Sequence, residues 1–554
     1  MIKHCFYKIN AALLLLIITF ILLGKAHAAT PTLENIRLLT KEWLTEQSPF
    51  SQQIESLHVP DTLKQLYQQR HYQPIWFDQT GLKPEAKELL AALSIADEEG
   101  LSQHDYHRLG IQWRSFSGKN KPRLQAEQEL LLSDAFFGLA SHLYSGIFNA
   151  TESDGNWHIN APKFDAQALL TALQQGHSIK ELLRALTPPH PGYRALRSSL
   201  ARYRRIESAG GWPNIAHGLA IRLGAKDPRL NNLRDRLLIS GDLALSAEIN
   251  NNVYDKTLQQ AVKNFQQRMG LEPDGKLGTQ TLHALNTPVN ERIQQIKLNM
   301  VRWHWLPREL GKKHIFVNTV SFELDLIDNY RPALNMKAIV GKTYRSTPAF
   351  SEKLTHFVLN PSWYIPANIL RKDILPKVRK NRDYLQRKNI HIQKVKGDKV
   401  EEIPLEKVEW AEFFSNKSPY RLRQSPGKHN ALGQVKFYMP NPYGIYLHDT
   451  PSRKLFQKTV RTFSSGCIRL EQPLALAAYL LKDEAQWDQQ KLQKIVSQKQ
   501  TRWVKLSNPI NVYLTYFTSW VDGSGQAHFR QDMYKRDRKL QQKLFGQTLQ
   551  IAQF

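Results

Sequence analysis

The chain has 554 residues, enough for several domains at roughly 150 residues each. Its composition, 41% hydrophobic and 23% charged, is that of a globular protein, which excludes wholesale disorder and a multi-span membrane protein. Its 76 Lys and Arg residues exceed its 49 Asp and Glu residues, giving a net charge of +27. The sequence therefore predicts an anionic partner: nucleic acid, membrane headgroups or an acidic polymer.

The first residues predict export. Lys3 and Lys8 accompany an apolar stretch at residues 11–23, and Ala26 and Ala28 supply the small residues of a cleavage site. This is the pattern of a signal peptide, and we expect cleavage after residue 28. The apolar stretch is shorter than the roughly 20 residues that span a bilayer, although an uncleaved segment would leave a membrane anchor. Export to the periplasm argues against nucleic acid as the partner.

The cysteine content points to one reactive thiol. The chain contains only Cys5 and Cys467, and Cys5 would leave with the signal peptide. A single thiol in an oxidising compartment is either an intermolecular link or a reactive group. A buried inert cysteine is the third reading. The neighbours of Cys467, residues 464–469 with the sequence SSGCIR, are small and turn-forming, which favours a reactive thiol.

Residues 29–225 are predicted to form a helical scaffold. Apolar residues recur there at spacings of three and four, for example at residues 124–144 and 166–173. His104 and His107 flank Asp105 in a polar stretch, which we interpret as a surface turn and not as a metal site.

Residues 226–287 predict three short helices with a glycine-rich loop. This segment closely resembles the three-helix peptidoglycan-binding domain of bacterial wall enzymes, and the resemblance implies affinity for the wall. It does not identify the residues that contact glycan, because Phe265, Leu271 and Leu282 are needed as core in any case. The residues that carry the similarity are Ala261, Val262, Phe265, Gln266, Gly270, Leu271, Asp274, Gly275, Gly278, Thr281, Leu282, Ala284 and Leu285.

From residue 312 the hydrophobic period changes to two, which predicts a mainly β domain at residues 312–525. A helical linker at 288–311 precedes this domain, and a partly helical tail at 526–554 follows it. Residues 367–420 interrupt the strand pattern as a helical insertion. Eleven Lys and Arg residues lie between positions 371 and 399, against three Asp. This is either a solvated face or a basic lid that attracts carboxylate-rich substrate strands.

The β domain also supplies a base for the thiol. Thiolate is the nucleophilic form of cysteine, so Cys467 needs a neighbouring base or cation. His448 ends the predicted strand 443–448, and two adjacent strand ends could bring it to Cys467. Tyr446 alternates with His448 on the same strand face, where it would donate to substrate or pack. Asp449 should point to the opposite face.

These residues resemble the catalytic signature of the L,D-transpeptidases, in which a His precedes a Ser/Thr-x-Gly-Cys element. Residues 360–366, which include Trp363, and residues 426–433, which include Asn430, also resemble the large periplasmic members of that family. The likeness covers nearly the whole mature chain. One departure is that many members have His before Gly-Cys and Asn two residues after Cys, where this chain has Ser465 and Arg469. The group that orients His448 therefore stays open, between Ser465 and a backbone carbonyl.

The resemblance implies a multi-domain α+β protein with a helical scaffold, a peptidoglycan-binding domain and a mainly β catalytic domain. It implies acyl transfer on peptidoglycan stem peptides, with Cys467 as nucleophile, His448 as base and N–H groups near Gly466 as oxyanion donors. Arg469 would bind a stem carboxylate or form a salt bridge, and Tyr446, Trp363 and Asn430 would contact substrate. No cofactor or metal is expected.

The implied partners are donor and acceptor tetrapeptide stems, penicillin-binding proteins, D,D-carboxypeptidases and carbapenem inhibitors. Three alternatives remain open from the sequence. Water could resolve the acyl-enzyme, which would make the protein an L,D-carboxypeptidase, or a protein amine could do so. The helical and wall-binding domains could instead form a non-catalytic scaffold.

Overall fold

The structure is a computed structural model that describes residues 31–45, 57–107, 111, 121–244, 252–415 and 417–546. The signal peptide expected at residues 1–28 lies outside the described residues. The chain divides into two compact units, one formed by Met1–Ile147 and Lys163–Thr187 and the other by Phe148–Pro162 and Pro188–Phe554. The first unit thus ends at Thr187, before position 225 at which the sequence placed the end of the helical region.

The N-terminal elements are mostly helices. In chain order they are α1 (Pro31–Thr45), α2 (Pro60–Gln69), β1 (Phe77–Asp78), β2 (Gly81–Leu82), α3 (Pro84–Ala92), α4 (Ile95–Glu98), a 3-10 turn (Gln103–Asp105), α5 (Lys121–Ser145), α6 (Ala150–Ser153), β3 (Trp157–His158), α7 (Ala166–Gln174) and α8 (Ile179–Leu186). All except α6 and β3 belong to the first unit.

The core of the first unit is built around α5. Phe136 of this helix packs edge-on against Trp76, with ring centroids 5.6 Å apart. Glu129, about two turns earlier on the same helical face, is fully buried and accepts hydrogen bonds from the Tyr67 hydroxyl (2.5 Å) and from the backbone N–H of Trp76 (3.1 Å). Because buried polar groups need such partners, this network fixes the turn before β1 onto α5.

The second unit combines helices with a large sheet. Its further elements are α9 (Pro191–Ser208), α10 (Leu230–Ser240), α11 (Lys256–Met269), α12 (Thr279–Asn286), α13 (Val289–His304), β4 (His314–Asn318), β5 (Glu323–Asp328), β6 (Arg331–Gly341), a 3-10 turn (Thr343–Arg345), β7 (Ala349–Leu359), β8 (Trp363–Tyr364), α14 (Ala367–Ile369), a π-helical turn (Leu370–Ile374), α15 (Leu375–Lys380), α16 (Asp383–Arg387), β9 (Ile390–Lys396), β10 (Lys399–Ile403), a 3-10 turn (Leu405–Lys407), α17 (Trp410–Phe413), β11 (Tyr420–Gln424), β12 (Val435–Tyr438), β13 (Leu447–His448), a 3-10 turn (Arg453–Gln457), β14 (Thr462–Ser464), β15 (Ile468–Leu470), α18 (Pro473–Leu480), α19 (Gln489–Ser497), β16 (Arg502–Thr515), β17 (Ser519–Val521), β18 (Ala527–Phe529) and α20 (Asp537–Phe545).

Helices α10, α11 and α12 share one apolar core with α9, α13 and the hairpin β17–β18. Leu200 of α9, Phe265 of α11 and Phe529 of β18 all lie in it, each almost fully buried. The Arg268 side chain also donates to the carbonyl of Ala527 (2.7 Å). The hairpin at the end of the β domain therefore packs with the three-helix segment, a long-range contact that no local pattern in the sequence indicates.

The loop between α11 and α12 is held by one side chain. The buried Gln266 amide nitrogen donates to Asp274 Oδ1 (3.0 Å) and to Thr281 Oγ1 (3.0 Å), and its oxygen accepts the N–H of Gly275 (2.8 Å). Gly275 has a φ of +70°, in the left-handed region where glycine carries no steric penalty. Gly270 ends α11 in the same region, with a φ of +71°.

The sheet of the second unit is ten-stranded and closes on itself. Its path is β12-β13-β15-β6-β5-β4-β16-β7-β3, β14 pairs with β6, and β12 also pairs with β7. The pairs β13–β15, β14–β6, β16–β4 and β3–β7 are parallel. Its inner face packs apolar residues such as Phe357, Phe437 and Leu447. The multi-domain α+β organisation expected from the sequence is confirmed.

The insertion at residues 367–420 is not helical throughout. Strands β9, β10 and β11 follow the short helices and, with β8, form a separate four-stranded sheet over the small apolar core of the insertion. The alternation of Ile390 and Ile392 with polar residues, both isoleucines buried, is the physical reason for the strand. Among the helices of the described residues, none has both the length and the apolar character needed to cross a membrane.

Candidate active site

Three neighbouring strands, β12, β13 and β15, present one polar face. His448 of β13 is paired with Lys436 of β12 on one side and with Arg469 of β15 on the other. Paired residues in adjacent strands share a face, and the alternate residues Leu447 and Ile468 are fully buried on the opposite, core side. The three strands therefore place Lys436, His448 and Arg469 in a row.

Cys467 and Tyr446 lie on the same face. Each precedes a residue of this row by two positions, Cys467 before Arg469 and Tyr446 before His448. In the parallel register Leu447 pairs with Ile468, so Tyr446 is the cross-strand neighbour of Cys467. His448 and Cys467 are then diagonal neighbours. Their backbones lie about 7–8 Å apart, a distance that the two side chains can bridge. The arrangement that the sequence predicted for the thiol and the imidazole, at neighbouring strand ends, is the arrangement in the structure.

The turn before the nucleophile is fixed from two sides. Gly466 has a φ of +117°, and a Cβ there would meet Ile445 Cδ1 at 3.3 Å, so glycine is the residue that fits. Its carbonyl accepts the Thr347 hydroxyl (2.7 Å), and its N–H donates to Ser464 Oγ (3.1 Å). The N–H of Cys467 has no acceptor among the described residues, which leaves it available to a ligand.

The thiol is protonated in the resting site. Burial raises the pKa of Cys467, while hydrogen bonds from the Tyr446 backbone N–H and hydroxyl and the charges of Lys436 and Arg469 oppose that rise. The thiol points to the carbonyl of Gly444, 3.8 Å from Sγ. The sulfur therefore has donors in place that would stabilise its thiolate form.

His448 is buried and neutral. Its Nδ1 lies 2.5 Å from the backbone carbonyl of Asp449, and because a carbonyl only accepts, Nδ1 carries the proton and Nε2 the lone pair. Burial, followed by the charges of Arg469 and Lys436, lowers the pKa of His448 to about 3. A neutral imidazole with a lone pair on Nε2 is the form that a general base requires.

Two side chains near His448 have other partners. The Ser465 hydroxyl accepts a hydrogen bond from Arg345 Nη1 (2.8 Å), and no hydrogen bond joins it to the imidazole among the described residues. The Asp449 carboxylate accepts the N–H of Gln434 (2.8 Å) and lies 3.2 Å from Arg453 Nη1. Of the two orienting groups left open by the sequence, the backbone carbonyl is the one that contacts His448.

Tyr446 and Trp363 form the wall beside the thiol. The rings of Tyr446 and His448 lie 5.6 Å apart, and the Trp363 indole N–H donates to the Tyr446 hydroxyl. Burial raises the pKa of Tyr446, so its hydroxyl keeps its proton and can donate. Trp363 lies on β8, which pairs with β11 of the insertion, so this wall joins the sheet of the insertion to the thiol.

Asn430 lies in the loop that precedes β12. Its amide nitrogen donates to the carbonyls of Pro361 (2.9 Å) and Ser425 (3.0 Å), and its oxygen accepts the N–H of Leu432 (2.8 Å). The side chain is almost fully buried. These bonds use the amide to close a loop, and a contact between Asn430 and substrate stays a prediction.

Two residues of the site were missed by sequence reasoning. The alternation of Lys436 with Val435 and Phe437 indicated that it lies on the outer face of its strand. Its position beside His448 could not be predicted, because no local pattern indicates the register between β12 and β13. Arg345 follows β6 and joins Ser465 to Asp373 of the insertion through one guanidinium nitrogen, 2.5 Å from Asp373 Oδ2. The insertion is thereby tied to the turn that carries the nucleophile.

One cluster among the described residues could bring metal ligands together, and it lies in the first unit. Ligand atoms of His58, His107 and Asp134 come within 4.8 Å of one another. Asp134 Oδ2 already lies 2.7 Å from His107 Nε2 and accepts the N–H of His58, and Oδ1 accepts the N–H of Val59. These hydrogen bonds account for the cluster without an ion. His104 is not part of it.

Comparison with known proteins assigns three segments. Residues 312–496 match the L,D-transpeptidase catalytic domain, residues 226–285 match the family described as "Putative peptidoglycan binding domain", and residues 61–200 match the family described as a scaffold domain. The second segment contains the Gln266 loop, and the first contains the row of Lys436, His448 and Arg469.

One curated relative, from Haemophilus influenzae, is named "Putative L,D-transpeptidase" and is 35% identical over 247 residues. The alignment covers 45% of this chain and 49% of that relative, so the chain spans about half the length of the relative it matches. A solved structure of an L,D-transpeptidase (residues 123–326) from Xylanimonas cellulosilytica is 15% identical and covers 54% of this chain and 99% of that one. Its TM-score of 0.17 is too low to establish a shared fold.

The fold and the polar face thus define a multi-domain protein with a thiol-bearing catalytic sheet. The chain contains an L,D-transpeptidase catalytic domain together with a peptidoglycan-binding domain, as the sequence motifs indicated.

Proposed function

We propose that this protein is a cysteine-dependent L,D-transpeptidase that joins two diaminopimelate residues of neighbouring peptidoglycan stems in a 3-3 crosslink. The observation that carries the proposal is the position of Cys467 and His448 on one face, with Tyr446 donating to the sulfur and the Asp449 carbonyl holding Nδ1 of His448. Tetrapeptide stems would serve as donor and as acceptor.

In the first half-reaction, His448 Nε2 takes the thiol proton and Cys467 Sγ attacks the carbonyl of the L-centre of diaminopimelate. A thioester bond forms, the amide bond to the terminal D-Ala breaks, and the imidazolium returns its proton to the leaving amine. The contact of Nδ1 with the Asp449 carbonyl keeps the imidazole in the required tautomer throughout. The high pKa of the buried thiol means that the proton leaves only as the substrate arrives.

In the second half-reaction, the side-chain amine of the acceptor stem attacks the thioester and Cys467 leaves as thiolate. His448 removes the proton that the new amide nitrogen loses and passes it to the sulfur. One amide is exchanged for another, so the reaction needs no nucleotide and no metal to balance it. Water in place of the amine would give the tripeptide, which is the L,D-carboxypeptidase alternative.

Charge on the substrate oxygen would be stabilised by backbone N–H groups. The N–H of Cys467 has no acceptor among the described residues, so it can donate to the substrate oxygen without losing another partner. The N–H of Gly466 is engaged by Ser464 Oγ at rest, so it would have to exchange that partner for the oxyanion.

The remaining features support a wall substrate. Residues 371–399 of the insertion carry eleven Lys and Arg residues, all but the half-buried Lys394 exposed, beside the site. Such a surface attracts polyanionic strands over long range. Action on peptidoglycan requires export, and we place the protein in the periplasm after removal of residues 1–28. Penicillin-binding proteins and D,D-carboxypeptidases would supply its substrate, and carbapenems would acylate Cys467.

The test is product analysis. The mature protein and its Cys467→Ala variant are incubated with disaccharide-tetrapeptide, and the products are identified by mass spectrometry. We expect a dimer joined through two diaminopimelates and released D-Ala with the wild type, and neither with the variant. Tripeptide without dimer would replace the transpeptidase by the carboxypeptidase. The absence of any turnover, together with tight binding to sacculi, would favour the scaffold.

A further inference from the structure

Lys436 is a cation without an acidic partner beside the nucleophile. Its side chain is half-buried, and Nζ lies 4.0 Å from the centroid of the Tyr446 ring and 5.1 Å from that of Tyr438. No carboxylate pairs with it among the described residues. Burial lowers the pKa of Lys436, and negative charge on the Cys467 sulfur opposes that shift. Its titratable neighbours on the facing strands are Cys467, His448, His356, Tyr438 and Tyr446, together with the cation Arg469.

Arg469, on the other side of His448, is also a cation without an acidic partner among the described residues. Its guanidinium is partly buried, Nε is buried without a hydrogen-bond partner, and no carboxylate forms an ion pair with it in the part of the chain that the structure describes. A buried Arg normally finds a carboxylate or a set of carbonyls, because an uncompensated buried charge is costly. The site therefore holds two positive charges and no permanent negative one.

The thiolate of Cys467 can balance only one of these charges. It exists only during the reaction, since the thiol is protonated at rest. At least one cation is thus left for an anion that arrives with the substrate. Carboxylate is the anion that a stem peptide carries, and charge-assisted hydrogen bonds to it are the strong ones.

The donor stem has a carboxylate at the appropriate distance. When Sγ attacks the diaminopimelate carbonyl, the α-carboxylate of a terminal D-Ala lies three bonds from the attacked carbon, within about 4 Å. A pentapeptide has an uncharged amide at that position. A cation next to the sulfur would therefore distinguish a tetrapeptide from a pentapeptide donor.

We propose that Lys436 and Arg469 form a receptor for the α-carboxylate of the C-terminal D-Ala, and that this receptor selects tetrapeptide stems as donors. The inference rests on the proposed function, because it names the feature of the donor that the same site recognises.

The experiment compares donors that differ only at this group. The wild type and the Lys436→Met variant are assayed for D-Ala or D-alaninamide release from a tetrapeptide and from its C-terminal amide, with a pentapeptide as a third donor. We expect the wild type to prefer the free acid, and the variant to lose about ten- to hundredfold in kcat/KM for the acid, chiefly through KM. The rate for the amide should change little, so the preference for acid over amide should approach one.

Two controls make the result specific. Lys353→Met removes an exposed lysine from β7 of the same sheet and should leave every rate unchanged. Lys436→Arg keeps the charge and should retain much of the preference for the acid. Equal losses for acid and amide in Lys436→Met would overturn the proposal, as would a wild type that does not distinguish the two donors.

A binding measurement tests the carboxylate receptor independently of the proposed transpeptidase activity. Calorimetry with the Cys467→Ala variant measures the affinity for the tetrapeptide acid and amide without any reaction. Acid-selective binding that disappears in the Cys467→Ala/Lys436→Met double variant supports the receptor even if the wild type proves to make no crosslinks. Affinity that does not depend on Lys436 overturns the receptor whether or not crosslinks form.

Discussion

The three-helix segment and the thiol-bearing face of the sheet were both identified by short motifs, but their motif residues do different things. In the loop after α11, Gln266 forms hydrogen bonds with Asp274, Gly275 and Thr281, so the polar groups of the motif satisfy one another. On the sheet, the motif residue Arg469 has no acidic partner among the described residues, and neither has its neighbour Lys436, which no motif includes. A motif whose polar groups are mutually satisfied encodes a fold, and one that leaves them unsatisfied encodes chemistry.

The largest effect should come from the nucleophile and its base. Cys467→Ala and His448→Gln should each lower D-Ala release from a tetrapeptide by about 10³-fold or more, because the thioester needs both groups. Thermal unfolding of Cys467→Ala should match the wild type within a few degrees. A Cys467→Ala variant that keeps a tenth of the activity would move the chemistry away from this face.

A substitution in the loop of the three-helix segment should lower the stability of the protein. Gln266→Ala removes four hydrogen bonds and leaves buried partners unsatisfied, which should cost about 2–4 kcal/mol in the free energy of unfolding, measured by urea titration. Gln260→Ala, on the exposed side of the same helix, should cost less than about 0.5 kcal/mol. If Gln266→Ala left stability intact but abolished binding to sacculi, the motif of the three-helix segment would encode recognition. The two motifs would then not differ in the way described above.

The reactivity of the thiol should depend steeply on pH. Burial raises the pKa of Cys467 and lowers that of His448 to about 3, so above about pH 4 the pair rests as thiol and neutral imidazole. Alkylation of the wild type by iodoacetamide should therefore speed up about tenfold per unit between about pH 6 and 8, and should still rise above the ordinary thiol pKa of about 8.5. A rate that is constant over this range would indicate a thiolate–imidazolium pair at rest.

The smallest predicted effect belongs to the link between the insertion and the nucleophile turn. Arg345→Met breaks the contacts with Asp373 and Ser465 and should lower kcat about tenfold or less, while amide exchange in residues 367–380 becomes faster. Arg331→Met, at the exposed other end of β6, is the matched control and should change neither quantity. If exchange in the insertion is unchanged by Arg345→Met, the guanidinium does not hold it.

Local patterns in the sequence predicted which residues of the polar face lie together, but not their surroundings. Alternation along one strand was enough to place Tyr446 and His448 together, and the glycine before Cys467 indicated the turn. Lys436 could not be assigned, because its position beside His448 depends on the register between β12 and β13. Asn430 was assigned to the substrate by resemblance, yet its amide closes a loop.

The insertion shows a different kind of omission. The sequence analysis predicts a helical insertion, whereas residues 390–396 form a strand in which Ile390 and Ile392 alternate with polar side chains. That alternation is a strand signal present in the sequence. Its role as a basic lid, and the sequence-based domain boundaries, stay predictions.

The most direct test of the account is the covalent state of Cys467. The wild type and Cys467→Ala are mixed with disaccharide-tetrapeptide, quenched in acid after short times, and their intact masses are measured. The account predicts a transient adduct of one disaccharide-tripeptide on the wild type, located at Cys467 by peptide mapping and absent from the variant. Crosslinked product formed by the Cys467→Ala variant would contradict it.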